Sequence, residues 1–183
     1  MSNLMHCLVG STVILELLER FQTSLVGVLG FTGVIITMVA NAKIQRNLQS
    51  AQRQHEVRSL RTALLVELKA NVQMYETRIS DLSQADETHH ALIPSKVTNN
   101  IYQSSLSDVG LLSANEVESV LRAYLLLEEM PYRLRLLVGT NNVGGYNDEF
   151  IRINADRQHD AMKIHEALLP TLREAVAALE RNA

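Results

Sequence analysis

Cysteine, proline, glycine and aromatic residues are scarce in this chain of 183 residues. It contains one Cys, three Pro, eight Gly and no Trp, and only 4% of its residues are aromatic. The single cysteine, Cys7, excludes an internal disulfide framework and a zinc site built from several cysteines. So little Pro and Gly excludes a collagen-like or low-complexity chain. Leu, Ala, Glu and Arg dominate instead, and this composition predicts helices.

The chain also has no large excess of charge of either sign. The chain has 17 Lys and Arg against 20 Asp and Glu, a net charge of -3. This balance excludes a nucleic-acid-binding protein that works through an overall positive field. None of the six histidines has the i, i+4 spacing of a helical zinc site. The sequence also lacks a phosphate-binding glycine loop and a Gly-x-Ser-x-Gly turn. We therefore predict a protein with no enzymatic activity, no cofactor and no metal.

One segment has no charge at all. Residues 21–42 are 22 consecutive uncharged residues. As a helix they extend about 33 Å, enough to cross the ~30 Å hydrocarbon layer of a bilayer. A buried core helix is the alternative, but such a helix in a small soluble chain normally keeps a polar face. The segment is therefore predicted to be a transmembrane helix.

The distribution of basic residues around this segment predicts its orientation. One basic residue, Arg20, precedes it. Five follow it within the next 20 residues: Lys43, Arg46, Arg53, Arg58 and Arg61. Because basic residues stay on the cytoplasmic side, we predict a single-pass protein of the inner membrane with its C-terminal domain in the cytoplasm. These juxtamembrane side chains are expected to attract anionic lipid headgroups. Inverted insertion is the alternative.

Residues 1–20 precede the predicted span. The apolar stretch of residues 4–18 has only 15 residues, which is short for a transmembrane helix. Its leucines fall on one helical side, away from the charged residues near position 20. This pattern predicts an amphipathic helix that lies in the membrane interface. A second, short membrane segment that forms a hairpin with the span is the alternative.

Residues 43–183 are predicted to form a small antiparallel helical bundle that continues from the span, so that the fold class is all-α. The apolar spacing and the positions of Pro and Gly define its elements. These are a first helix over 43–82, a loop over 83–94, a short helix over 95–108, a helix over 114–138, a linker over 139–147 and a last helix from 148 to about 181.

Three local signals mark the ends and bends of these helices. Gly110 is predicted to end the short helix in the left-handed conformation. The sequence from Ser113 to Glu116 has the pattern of a capping box that opens the helix 114–138. Pro131 is expected to kink or split that helix, and Pro170 to bend the last one. The inner face of helix 114–138 is predicted as follows: Val117, Val120, Leu121, Tyr124, and Leu127 or Leu125.

Glu67 and Asn71 are the best candidates for a functional polar site. They lie one turn apart beside the apolar stripe of the first helix, and a carboxylate near a core needs partners. Tyr102 and Tyr124 are the expected partners. A polar network that fixes helix register is preferred here over a ligand-sensing or proton-handling site. The remaining acidic pairs are read as solvated helix faces: Glu116 with Glu118, Glu128 with Glu129, and Asp156 with Asp160.

Two stretches, Ala63-Leu-Leu-Val-Glu-Leu-Lys-Ala-Asn71 and Ile101-Tyr-Gln-Ser-Ser-Leu-Ser-Asp-Val-Gly-Leu-Leu-Ser113, carry a resemblance. With them, roughly residues 20–138 resemble a loosely defined group of uncharacterised bacterial proteins that have one transmembrane span and a helical soluble domain. The matching motifs are a helix face, a helix end and a cap. The resemblance implies an architecture but no activity and no site residues.

These features together predict a membrane-anchored interaction or scaffold protein. Its partners are expected to be the lipid bilayer and either another protein or a second copy of itself. A membrane-tethered sensor that binds a small ligand near Glu67 is one alternative. A phage-type envelope or lysis protein is another.

Overall fold

A computed structural model describes residues 3–84, 90–139 and 149–182, and the side chains of residues 3–18, 20 and 23–25 are outside this description. The model is 83% helical, with four α-helices and a small two-stranded sheet, which confirms the all-α fold class. The helices are α1 Asn3–Gln84, α2 Asn100–Ser104, α3 Ala114–Val138 and α4 Gln158–Glu180. The strands are β1 Ala91–Pro94 and β2 Phe150–Ile153. Single 3₁₀ turns cover Val109–Leu111 and Ala155–Arg157.

The chain divides into two compact units, Met1–Arg53 and Gln54–Ala183. In the first unit every described side chain is exposed. The part of α1 that begins at Val26 contains an 18-residue window with a mean hydropathy of 1.6, and none of this window is buried. One helix near the N-terminus is therefore long and apolar enough to cross a membrane. Residues 3–20 are helical and belong to the same α1, which leaves no turn for the alternative hairpin.

The second unit has a conventional apolar core. Its part of α1 presents one side chain per turn to the interior, because apolar residues recur at steps of three and four. Leu64, Leu68 and Tyr75 are at most 1% exposed. They pack in one cluster with buried residues of α3, α4 and both strands. The buried partners include Val120, Tyr124, Leu127, Leu134, Ile151, Ile153, Leu172 and Leu179.

Ion pairs and hydrogen bonds between helices show how the chain runs through this unit. Arg61 contacts Glu116 and Glu67 contacts Tyr124, so α1 and α3 point the same way. Lys69 pairs with Glu180, and the next contact along α1 joins Glu76 to Arg173, so α4 runs against α1. α4 is consequently antiparallel to both of its neighbours. The segment between Gln84 and Ala114 returns the chain so that α3 starts at the same end as this part of α1.

Part of that returning segment is a strand rather than the predicted loop. β1 pairs antiparallel with β2, with Ile93 opposite Ile151. The prediction that the last helix starts near residue 148 is therefore wrong: residues 150–153 are β2 and α4 begins at Gln158. Ser95 N donates to Glu149 O at 2.7 Å and extends the pairing by one bond. Neither four-residue strand is long enough to show a clear alternation of apolar and polar residues. The two strands also lie far apart in the sequence, so one sequence does not show that they pair.

The short helix predicted over 95–108 is also wrong in extent, because α2 covers only Asn100–Ser104. Backbone groups of the preceding residues are engaged elsewhere: Ser95 N by Glu149 and Thr98 O by the Asn71 amide. Gly110 does not end this helix in the left-handed conformation; it lies in the 3₁₀ turn Val109–Leu111. Among the described residues, Gly139 alone has a positive φ, 64°.

α3 begins and ends where the sequence predicts. Its capping box is formed: the Ser113 side chain accepts a hydrogen bond from the Glu116 backbone N–H, and the Glu116 side chain accepts one from the Ser113 backbone N–H. The helix continues through Pro131 without being split, and α4 likewise continues through Pro170. Leu127 rather than Leu125 is the buried member of the predicted inner face. Leu121 was also predicted to face inward, but it is 37% exposed.

Candidate functional site

The carboxylate of Glu67 lies inside the second unit, where only 5% of the residue is exposed. Its Oε1 accepts a hydrogen bond from Ile101 N at 2.8 Å, and its Oε2 accepts one from Tyr102 N at 3.0 Å. These N–H groups belong to the first turn of α2, which has no intrahelical partners for them. The Asn99 side chain does not supply this cap. Glu67 therefore caps α2 from a different helix, and the α2 amides in turn stabilise the buried charge.

Tyr124 completes the shell of donors around Glu67. Its hydroxyl donates to Glu67 Oε2 at 2.6 Å, a short charge-assisted bond. Burial raises the pKa of Tyr124, and the hydrogen bond to the Glu67 carboxylate and its charge raise it further. The tyrosine is therefore protonated at neutral pH and acts as a donor.

Tyr102 and Tyr124 stack on one another. Their ring centroids are 3.9 Å apart and the ring planes differ by 7°. Burial, followed by the charge of Glu128, raises the pKa of Tyr102. The contact of Tyr102 with Glu67 is made by its backbone N–H rather than its hydroxyl. The stack therefore holds α2 against α3. From α2, the Glu67 carboxylate accepts hydrogen bonds from backbone amides and not from the Tyr102 hydroxyl.

Asn71 joins the same network one turn along α1. Its Nδ2 donates to Glu67 O at 3.0 Å and to Thr98 O at 2.9 Å. Both neighbours are carbonyls, so the amide orientation is determined by its acceptors. The structure thus brings together all four residues of the predicted network: Glu67, Asn71, Tyr102 and Tyr124. With three donors on its two oxygens, Glu67 is arranged for holding elements together rather than for proton transfer.

A second buried carboxylate was not predicted. Glu116 was read as part of a solvated helix face, but it is 0% exposed. Arg61 Nε donates to its Oε1 at 2.6 Å, and Arg61 Nη2 lies 3.3 Å from its Oε2. Ser113 adds donors to Oε2 from its backbone N at 2.9 Å and its hydroxyl at 2.7 Å. The carboxylate of the capping box is therefore also one half of a buried ion pair between α1 and α3.

The protonation of Glu116 follows from these contacts. Burial alone would raise the pKa of its carboxyl group. The hydrogen bonds from Arg61 and Ser113, together with the Arg61 charge, outweigh burial and lower the pKa to about 2. Arg61 was predicted to be a juxtamembrane, lipid-facing side chain. Its side chain is only 13% exposed, so this prediction is wrong for Arg61. The other four members of that set, Lys43, Arg46, Arg53 and Arg58, are exposed.

The burial of His165, an ionisable side chain on α4, was also not predicted. This side chain is fully buried, its Nδ1 lies 2.7 Å from Ala161 O, and its Nε2 has no described partner. The centroids of the His165 and Tyr75 rings lie 5.4 Å apart. The Arg78 guanidinium lies over the Tyr75 ring, 5.1 Å from its centroid. Burial lowers the pKa of His165, the hydrogen bond to Ala161 O opposes this, and the Arg78 charge lowers the pKa further, so that the net shift is downward. The ring is therefore neutral at pH 7.

The remaining acidic residues lie largely where a solvated face requires. Glu118 and Glu129 form exposed i, i+4 pairs with Arg122 and Arg133. Glu128 is only half-exposed and accepts from Asn99 and Gln103. Asp156 is exposed, and Asp160 lies 3.6 Å from Arg157. Cys7, the loop histidine His89 and the linker at residues 140–147 are outside the residues or side chains that the structure describes.

Two surface depressions adjoin α1 in the second unit. One, of about 220 Å³, lies between α1 and α4 and is bordered by the ion pairs Lys69–Glu180 and Glu76–Arg173, each 2.6 Å long. The other, of about 520 Å³, lies beside Arg58, Val66 and Ile101. Within the described residues no three His, Cys, Asp or Glu side chains come close enough to hold a metal ion. Neither depression contains the Glu67 or Glu116 carboxylate.

Comparisons of the chain with models of known protein families, with curated proteins and with solved structures gave no match.

Proposed function

We propose that this chain is a membrane-anchored helical interaction protein. In this proposal residues 21–42 cross the inner membrane, and residues 43–183 dock to a partner at its cytoplasmic face. The observation that carries the proposal is the exposure of the apolar part of α1, whose most hydropathic window has no buried residue. Burying apolar surface is worth about 25 cal/mol per Å², so leaving this whole surface in water is strongly unfavourable.

The described side chains of this segment support a lipid environment rather than a missing core contact. Large apolar residues are exposed on every side of the helix, so no single protein face could cover them. They are Phe21, Val26, Val28, Leu29, Phe31, Val34, Ile35, Ile36, Met38 and Val39, each 44–70% exposed. Thr32 and Thr37 donate to backbone carbonyls four residues back, Val28 O and Gly33 O, and so satisfy their own hydroxyls inside the helix. Hydroxyls bonded in this way are compatible with hydrocarbon.

The cytoplasmic placement rests on charge. Four exposed basic side chains, Lys43, Arg46, Arg53 and Arg58, follow the apolar segment, and they favour the cytoplasmic side. Removing Arg61 from this set, because it is half of a buried ion pair, lowers the bias but keeps its sign. The same side chains would attract anionic headgroups at about 1 kcal/mol each.

The geometry around Glu67 does not favour the ligand-sensing alternative. Both carboxylate oxygens already accept hydrogen bonds from the protein, at 2.6–3.0 Å. A ligand would have to enter a site where only 5% of Glu67 is exposed and compete with Tyr124 and the α2 amides for its oxygens. We therefore assign the network a structural role that keeps the docking unit rigid.

Membrane fractionation tests the anchoring part of the proposal. The full chain should sediment with membranes, resist an alkaline carbonate wash and dissolve only in detergent. A matched variant that lacks residues 1–42, and so both predicted membrane-binding segments, should remain in the supernatant and keep its helical circular dichroism. Recovery of the full chain in the soluble fraction without detergent would overturn the proposal.

Sidedness is tested separately by labelling. In a Cys7→Ser background, Glu166→Cys introduces one thiol at an exposed position on α4. A membrane-impermeant maleimide should label it only after spheroplasts are permeabilised. Labelling of intact spheroplasts would place the second unit outside the cytoplasm and overturn the assigned orientation while leaving the anchor in place.

A further inference from the structure

The outer face of α3 carries a second apolar stripe that the core does not use. It consists of Leu121, Leu125, Tyr132 and Leu136, which are 37%, 64%, 66% and 83% exposed. At 3.6 residues per turn these positions fall within about 60° of one another. The buried side chains Ala123, Leu127 and Leu134 lie on the opposite side of the helix. We call these four residues the outer stripe.

The spacing of the outer stripe repeats after 11 residues. Leu121 and Leu125 are followed by Tyr132 and Leu136 at the same interval. The flanking ion pairs repeat in step, since Glu118–Arg122 is followed by Glu129–Arg133. An 11-residue period is close to that of a straight α-helix, so the stripe runs almost parallel to the helix axis. A straight stripe about 22 Å long is suited to pairing with another straight helix.

Glu128 borders the outer stripe between Leu125 and Tyr132, but its carboxylate is bonded to side chains of its own chain. Its Oε1 accepts from Asn99 at 3.0 Å and from Gln103 at 2.7 Å. These two amides come from the α2 side of the unit. The carboxylate is therefore held beside the stripe by donors of its own chain, and the apolar surface between Leu125 and Tyr132 is left open.

The charges beside the outer stripe argue against a lipid surface as its partner. Three acidic residues and three basic ones border it. They are Glu118, Glu128, Glu129, Arg122, Arg133 and Arg135. Helices that lie on anionic membranes carry an excess of Lys and Arg on their polar side. A balanced border of this kind is typical of a helix that pairs with another protein helix.

We propose that the outer stripe is the contact surface for a second copy of this chain, with the two α3 helices parallel and in register. Parallel pairing sets one flank of the stripe against the opposite flank of the copy. Glu129 lies on one flank and Arg135 on the other, six residues apart, so each copy offers a complementary pair. An antiparallel arrangement centred on the stripe would instead bring Glu129 against Glu129 of the copy, which is unfavourable.

This inference rests on the proposed membrane anchor in one respect. Four partly exposed side chains form less than the roughly 800 Å² per partner of a standard interface. Anchoring to a membrane confines the copies and raises their effective concentration. The weak surface is therefore expected to pair when the chain is membrane-anchored.

Cysteine cross-linking in native membranes tests the pairing with the full chain. In a Cys7→Ser background, Leu125→Cys and Leu136→Cys should each form disulfide-linked homodimers on mild oxidation. Glu166→Cys, exposed on α4, is the matched control and should not. Cross-links in a mixture of Leu125→Cys and Tyr132→Cys chains, without cross-links in either alone, would show antiparallel pairing and overturn the proposal.

Charge reversal supplies an independent arm. Glu129→Arg alone should lower the cross-linked fraction of Leu125→Cys roughly two- to fivefold, the range expected for a partly exposed ion pair. Adding Arg135→Glu should restore it. An unchanged fraction in the single variant, or no recovery in the double variant, contradicts the assigned contact.

The same membrane samples separate the two proposals. If the chain sediments with membranes but the stripe cysteines do not cross-link, the anchor stands and the self-pairing is wrong. If the stripe cysteines link to a different protein, self-pairing is equally overturned. If the chain is soluble, the anchor fails; stripe cross-links that persist in solution would then support the pairing without it.

Discussion

Phe31 and Ile36 expose large apolar side chains to the surroundings of α1, whereas Glu67 and Glu116 lie buried at 5% and 0% exposure in the second unit. The first unit therefore exposes apolar side chains, which are usually buried, and the second unit buries carboxylates, which are usually exposed. An apolar side chain on the outside is stable when the solvent is lipid, and a carboxylate on the inside is stable when the protein itself supplies donors. Each region therefore depends on a different set of residues for its stability, and substitutions in each region test this dependence.

The largest effect on folding is expected from Arg61→Met. This change removes the cationic partner and leaves Glu116 charged and buried, which typically costs about 3–5 kcal/mol. Arg133→Met is the control, because its pair with Glu129 is 3.0 Å long but 45% and 52% exposed. Such a surface pair contributes about 0–1 kcal/mol. Urea unfolding followed by circular dichroism in mild detergent measures both, and equal losses would mean that Glu116 is hydrated.

In the first unit the matching change is Ile35→Asp. A carboxylate at the centre of a membrane helix disfavours insertion by about 2.5–3.5 kcal/mol. We expect the membrane-bound fraction to fall sharply, with α-helical content of the second unit unchanged. The control is Leu106→Asp, which introduces the same charge at an apolar position of the second unit that is 48% exposed. If both variants fractionate like the unmodified chain, the exposed apolar surface of α1 does not face lipid.

The capping box and its helix were predictable because the signal is local. Ser113 and Glu116 are three residues apart, and α3 begins at Ala114 as expected. The same signal concealed the burial of Glu116, since a capping-box carboxylate needs no partner beyond its own helix end. Its ion-pair partner Arg61 lies 55 residues earlier, and one sequence does not show which helices will meet. The strands β1 and β2 were missed for the same reason.

Glu67 was recognisable because a carboxylate beside an apolar stripe must be compensated. Its tyrosine partner Tyr124 was recognised as well, and the structure gives that bond a length of 2.6 Å. The hydrogen bonds from the α2 amides to Glu67 were not predicted. The position of this short helix depends on hydrogen bonds that the preceding backbone groups make with other segments, and one sequence does not show them. His165 carried no signal of its own: one histidine in an amphipathic helix is as compatible with the surface as with the core.

A smaller loss is expected from Glu67→Gln. The side chain keeps its shape, but the amide nitrogen replaces one acceptor and faces donors from Ile101, Tyr102 or Tyr124. Lost hydrogen bonds to a charged group and an unpaired buried donor together suggest about 2–3 kcal/mol. Tyr124→Phe removes a single donor and should cost less. Glu166→Gln, on the surface of α4, is the control and should be neutral. Equal stability of Glu67→Gln and the unmodified chain would show that the cap on α2 is dispensable.

The smallest effect is a dependence on mild acid that arises from His165. Because burial lowers its pKa below the ordinary value of 6.5, the unfolded chain binds more protons than the folded one in the window just below pH 6.5. The stabilisation is therefore complete above that pH and decreases as the pH falls through the window. Tyr75 and Arg78, which face the ring from α1, do not change charge there.

Replacing the ring isolates this contribution. His165→Leu should reduce the dependence of the unfolding free energy on pH between about 7 and 5, since the folded and unfolded chains then no longer differ at this position. His159→Leu, at an exposed position on the same helix, is the matched control. Glu116, whose folded pKa is about 2, adds a dependence that begins where its carboxyl group binds protons in the unfolded chain, at about pH 5. This contribution is the same with and without the His165 ring, so it cancels in the comparison. If the slope stays the same in His165→Leu, the acid sensitivity comes from another group and the ring binds protons equally in the folded and unfolded chains.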